Sequence, residues 1–165
     1  MKNIKSILGQ IYFTKNYPEI RKHPIDTIKA NNIYKKLSKS ELDAYYNTLL
    51  NYPTDEQKEE HRHTATSAIL AQKYPEEFVR QLGQLKEYSD QLDGQSKENS
   101  VFDMKNNENG ILIGKENPKV RNDVIYDIIM QNIRGDIEHK PTINTPLFIH
   151  NQPQKEIYGE IYPAN

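Results

Sequence analysis

The sequence predicts a mostly α protein: a single helical domain of about five to seven helices over residues 1–138, then an irregular or weakly β, Pro- and Tyr-rich tail over 139–165. Three observations carry this. Apolar residues recur at three- and four-residue spacing through most of the first part. Helix-start signals precede several of those runs. Pro141, Pro146, Pro153 and Pro163 then break the final stretch into short extended pieces such as PLFIH and KEIYGEIYP. A chain of 165 residues suits one ordinary domain with its own core.

In chain order, residues 3–13 read as a short amphipathic helix. In YPEIRKHPIDTIKANNIYKKL, Pro18 and Pro24 each fit the opening turn of a helix. In SKSELDAYYNTLLNYP, Ser38 or Ser40 is the expected cap; Leu42, Tyr45, Tyr46, Leu49 and Leu50 follow helical spacing, and Pro53 stops the element. Thr54 with Gln57 forms a capping box for DEQKEEHRHTATSAILAQKY. Pro75, Glu76 and Glu77 open PEEFVRQLGQLKEYSDQL, whose core face carries Phe78, Leu82 and Leu85. DGQSKENS reads as a polar connector, with Ser100 and Asp103 as a cap for VFDMKNNENG. The last helix, NPKVRNDVIYDIIMQNIRG, runs through Val124, Ile125, Ile128 and Ile129 and ends at Gly135.

Composition narrows the function classes. Hydrophobic residues are 35% and Trp is absent, so the core is lean and draws on the 11 Tyr and 4 Phe. A net charge of −1 gives no strong nucleic-acid signal, since counterion-release binding needs clustered Lys and Arg in excess. Charge is nonetheless uneven: residues 1–52 hold nine Lys/Arg against four Asp/Glu, and 53–110 hold seven against twelve. Complementarity between the two regions, or a weak contact with an anionic surface, follows from that asymmetry. With no Cys, thiol catalysis, disulfides and Cys-based zinc sites are excluded. MKNIKSILGQIYF has an interrupted apolar run and no small-residue cleavage site, so neither a signal peptide nor a transmembrane segment is expected there.

Chemistry concentrates in three stretches. In EEHRHTATSAILAQKYP, helical geometry puts His61, Ala65 and Ala68 on one face and His63, Ser67, Leu70 and Tyr74 nearly opposite. The two histidines therefore diverge and do not chelate as an i, i+4 pair. Each is either a core histidine with a hydrogen-bond partner or a site residue. In RQLGQLKEYSD, Glu87 lies opposite the Phe78, Leu82 and Leu85 face, on solvent or in a cleft. Gly83, one turn earlier, costs about 1 kcal/mol relative to alanine, a cost that close approach of a backbone or ligand would explain. In DMKNNENG, Asp103, Asn106, Asn107 and Gly110 fall at i, i+3, i+4 and i+7, one helical face. That stripe is a buried polar network or cleft wall if the segment is helical, and an exposed Asn-rich turn if it is not. Its offsets do not fit an EF-hand, and no nucleophile-elbow glycines flank Ser67.

Taken in order, these motifs resemble a poorly characterised family of bacterial helical domains found in secreted or phage-associated proteins. That family pairs Arg-His with small residues in one helix, His-Glu near the end of the next, then Asp-x-x-Asn-Asn-x-x-Gly. Arg62 and His63 match the first element, Glu87 the acidic half of the second, and Asp103, Asn106, Asn107 and Gly110 the third, over about residues 54–135. Lys86 stands where the pattern has His.

The resemblance implies a secreted effector or toxin-like hydrolase with the cell envelope or a small molecule as substrate, made in the bacterial cytoplasm and exported by a specialised route. In it Glu87 is the general base or acid, His63 its partner or a metal ligand, and Asp103 orients His63, while Arg62, Asn106 and Asn107 bind substrate. A His/Asp/Glu set can hold a divalent metal without being diagnostic of one. The competing expectation is a non-catalytic, host-directed interaction protein. Tyr158 and Tyr162 lie in its tail, where Tyr158-Gly-Glu-Ile resembles sequences that SH2 domains bind once phosphorylated.

Overall fold

A computed structural model describes residues 16–139, and the expected helix over 3–13, the tail beyond His139, Tyr158 and Tyr162 lie outside them. The described residues are mostly helical and contain no strand beyond one isolated bridge. Prolines start the first two helices, α1 (Pro18–Lys22) and α2 (Pro24–Lys36), where a missing N–H costs nothing. Helix α2 does not stop at the serines. A π-helical turn, Leu37–Glu41, joins it to α3 (Leu42–Tyr46).

Ser38 and Ser40 therefore cap nothing: each hydroxyl donates back to the carbonyl four residues earlier, Tyr34 and Lys36. The chain leaves the helix after Tyr46, before Pro53 is reached. Leu49 is fully buried, and Leu50 turns out to solvent.

The body is built around α4 (Asp55–Ala71). Its start is the capping box: Thr54 Oγ1 accepts from the Gln57 N–H at 3.2 Å, and Gln57 Oε1 accepts from the Thr54 N–H at 3.0 Å. Helix α5 (Glu76–Leu92) has Pro75 at its N-cap and acids in its first turn, which suits the helix dipole. Helix α6 (Lys97–Glu116) starts a turn earlier than expected. Ser96, not Ser100, accepts from the Asn99 N–H, and Ser100 is buried within the helix with Asp103. The segment NNENG is helical throughout, so Gly110 does not end α6. Helix α7 (Asn122–Arg134) stops at Gly135, whose φ of +83° is open to glycine at little cost.

Two apolar clusters flank α4. One gathers Leu42, Tyr45, Tyr46, Ile69, Ile125, Tyr126 and Ile129 from α3, α4 and α7. The other gathers Ile20, Leu70, Phe78, Val79, Leu85 and Ile111 from α1, α4, α5 and α6. Helices α4 and α6 run side by side in parallel at very short range. A Cβ added to Gly110 would sit 2.2 Å from the Thr64 carbonyl oxygen, and one on Gly114 would sit 2.2 Å from that of Ala68. Helix α5 runs antiparallel along α6, with Arg80 paired to Glu108 and Gly83 facing Asn107.

After α7 the chain returns to the body. Leu49 bridges His139, and the Leu50 N–H donates to Glu138 O at 2.6 Å. His139 Nε2 lies 3.0 Å from Asp127 Oδ1, which also accepts from the Tyr45 hydroxyl, and His139 Nδ1 lies 3.0 Å from Thr48 Oγ1. Asp127 raises the His139 pKa, outweighing partial burial.

A raised histidine contributes stability that is complete below about pH 6.5, its unfolded value, and is lost as pH rises through the higher folded value. The contact is partly exposed, so the contribution is under about 1 kcal/mol. NMR titration is expected to place the His139 midpoint above that of a free histidine, and Asp127→Asn to bring it back down. An unchanged midpoint in that variant would remove Asp127 as the cause.

Candidate functional site

The polar site lies where α4, α5 and α6 meet, and the α4–α6 glycine contacts create it. Because Gly110 and Gly114 let the two helices meet backbone to backbone, the preceding turns of α6 bring Asp103 and Asn107 against α4. Ser67 Oγ donates to Asn107 Oδ1 at 3.0 Å, and Asp103 Oδ1 comes to 3.6 Å from His63 Nε2. The cost of Gly83 also finds its reason here. The Asn107 amide nitrogen lies 3.1 Å from where a Cβ would be, so the neighbour is a side-chain amide rather than a backbone or ligand.

His63 is the hub. Besides Asp103, Nε2 is 3.2 Å from Glu59 Oε1, one turn back on the same helix, and Nδ1 is 3.8 Å from Glu87 Oε1. Three carboxylates thus surround one imidazole. Asp103 is held from behind by Gln95, whose Nε2 donates to Oδ2 at 2.7 Å, leaving Oδ1 on the His63 side.

Glu87 is the least satisfied member. It is 1% exposed, and neither carboxylate oxygen has a hydrogen-bond partner among the described residues. The alternative of a solvated Glu87 face is thereby corrected: α5 is covered on both sides at this level, because α4 and α6 close over it. Ser100 Oγ and Asn106 Nδ2, one turn either side of Asp103 on α6, are also buried without partners.

These contacts set the electrostatics. Burial, reinforced by Asp103 and Asp90, pushes the Glu87 carboxyl up to about 7 against the pull of His63 and Lys86. Burial by itself would depress His63, but the hydrogen bond to Glu59 and the charges of Asp103, Glu87 and Glu59 prevail and hold it above its ordinary value. Glu59 is lowered, first by its hydrogen bond to His63 and also by Arg62 and Lys86.

Of the residues expected from sequence, His63, Glu87 and Asp103 converge. Arg62 pairs with Glu59 at 2.5 Å, with its Nε buried and unpartnered. Asn107 binds Ser67 rather than lying free, and Asn106 is buried beside Asp103 on α6. Ser67 donates to an amide, with no imidazole among its hydrogen-bond partners. Lys86 pairs with Asp90 and lies 6.0 Å from the Tyr34 ring centroid, at the edge of the cluster.

His61 has the core role. Fully buried, it stacks on Tyr45 and bonds Tyr46 and the Tyr126 carbonyl, and burial pushes its pKa down to about 4. Glu59 and Gln95 were not picked out from sequence. Glu59 had a signal, its i, i+4 spacing to His63, while Gln95 lies in the connector before α6 and had none. No family model, curated protein or solved structure matches the chain.

Proposed function

We propose that this protein is a hydrolase whose reaction centre is the His63, Glu87 and Asp103 cluster, acting as a bacterial effector or toxin-like enzyme. The observation that carries the hydrolase reading is the Glu87 carboxyl, buried without a hydrogen bond 3.8 Å from His63 Nδ1. An unpartnered carboxyl is costly to the fold and useful to chemistry, since it is free to bind or move a proton or to hold an incoming group.

At 3.6–3.8 Å from the imidazole, Asp103 and Glu87 stand just beyond direct hydrogen-bond reach, so a small side-chain shift brings either acid onto His63 or onto a water at the cluster. Asp103, fixed by Gln95, orients His63. Arg62, whose Nε has no partner, and the unpartnered Asn106 amide nitrogen supply polar groups for substrate, with Asn107, held by Ser67, behind them. The effector setting, the cell-envelope substrate and the specialised export route rest on the motif resemblance, and fold alone carries none of them.

Expression of the protein in bacteria, confined to the cytoplasm or sent to the periplasm by an added signal, tests the reading. Growth inhibition in one compartment is expected, and folded His63→Ala is expected to abolish it; loss of a proton-transfer group or its partner is worth roughly 100- to 10,000-fold in rate. Inhibition undiminished in His63→Ala would remove the cluster from the activity.

A further inference from the structure

We infer that His63, Glu87 and Asp103 form a binding site for one divalent transition-metal ion of the Mn2+ or Zn2+ kind. This rests on the hydrolase reading of the same cluster and deepens it, because the ion would be what activates the water. One donor atom from each residue lies within 4.8 Å of the other two. Bonds of about 2.1 Å place ligand atoms roughly 3.0–4.2 Å apart around an ion. A collar of this size closes on a cation by side-chain shifts of about 1 Å or less.

The second observation is independent of the spacing. Glu87 is almost wholly buried, yet both of its oxygens lack hydrogen-bond partners. A buried carboxylate without a hydrogen bond is expensive unless a cation meets it, and His63 Nδ1, at 3.8 Å, is too far to hydrogen-bond it. No Lys or Arg ion-pairs with it: Arg62 turns to Glu59 and Lys86 to Asp90.

The surroundings have the outer shell that metal ligands use. A ligating carboxylate is steadied by a hydrogen bond, and Gln95 supplies it to Asp103 Oδ2. One imidazole with two carboxylates favours Mn2+ or Zn2+ over Ca2+, which takes six to eight oxygens. Three protein ligands leave a position for water, the arrangement of catalytic sites.

Metal-stripped full-length protein would be titrated with Mn2+, followed by electron paramagnetic resonance, and with Zn2+ by calorimetry, with Ca2+ as the comparison. One ion per chain is expected, with an upward melting shift of roughly 5–10 °C at 100-fold the Kd. Asp103→Asn and the near-isosteric Glu87→Gln are expected to weaken binding at least tenfold and to erase the shift, while their unliganded melting curves confirm that they fold.

No binding of either ion up to 1 mM would overturn the site, as would binding that survives both substitutions. The two readings separate cleanly. Growth inhibition that depends on His63 in a protein that binds no metal leaves the hydrolase standing without the ion. Metal binding in a protein harmless in both compartments leaves the ion without the hydrolase.

Discussion

Glu87→Gln is expected to stabilise the metal-free protein at pH 8 while removing its growth inhibition. Glu87 is buried without a hydrogen bond, and burial raises its pKa to about 7. A carboxyl whose folded value lies above its unfolded value costs the fold nothing while both states are protonated. The cost grows as pH rises from the unfolded value near 4.5 to the folded value near 7, then stays constant. It amounts to about 3 kcal/mol at alkaline pH.

Glutamine keeps the shape and loses the charge but leaves amide atoms to satisfy, which returns part of that gain. A net rise of about 1–2 kcal/mol follows, roughly 2–8 °C in melting temperature for a chain of this size. The difference between the two proteins should narrow toward pH 5, where Glu87 is protonated. Raised His63 works in the same direction, its contribution being lost as pH rises from the unfolded value through the higher folded one. Thermal melts of both proteins at pH 5 and pH 8 check this; a variant less stable at pH 8 would mean that the carboxylate is held by favourable contacts. Better stability with lost activity is the pattern of a strained functional group.

Gly110→Ala is the substitution expected to damage the fold most for its size. The new Cβ would meet the Thr64 carbonyl oxygen at 2.2 Å and the Ser67 Cβ at 2.8 Å, and the backbone oxygen cannot rotate away. Overpacking of this kind costs about 3 kcal/mol, and the better helix propensity of alanine returns about 1. A net loss of about 2 kcal/mol, or roughly 4–8 °C, is expected from thermal melts.

The same separation of α4 from α6 would pull Asp103 off His63, so activity should fall in the fraction that remains folded. Gly83→Ala is the internal comparison. Its nearest neighbour is the Asn107 side-chain amide at 3.1 Å, which can shift, so the change should stay within about 1 kcal/mol of neutral. Equal losses at Gly83 and Gly110 would show that the α4–α6 contact has no special closeness.

Legibility differed by element. The capping box at Thr54 and the stop at Gly135 were readable because each is a local hydrogen-bond or dihedral requirement written in adjacent residues. The serine caps were not. Ser38, Ser40, Ser96 and Ser100 all have capping chemistry, and only packing decided that Ser96 would cap while Ser100 went inside. Likewise, one-face periodicity in α5 correctly put Phe78 and Leu85 in the core, but it could not reveal that α4 and α6 would also cover Glu87.

By itself the sequence determined the helical class, the divergence of His61 from His63, and the helical phase shared by Asp103, Asn106, Asn107 and Gly110. All three follow from the 3.6-residue period and nearest-neighbour chemistry. Tertiary structure alone decided that His61 would be a core residue and His63 a hub, that Gln95 would join the cluster, and that Glu87 would be buried without a hydrogen bond. Those outcomes depend on what packs against α4: α3 and α7 enclose His61, and the distance between α4 and α6 sets the cluster around His63. That distance is fixed by two glycines meeting two carbonyls across a gap that no single helix records.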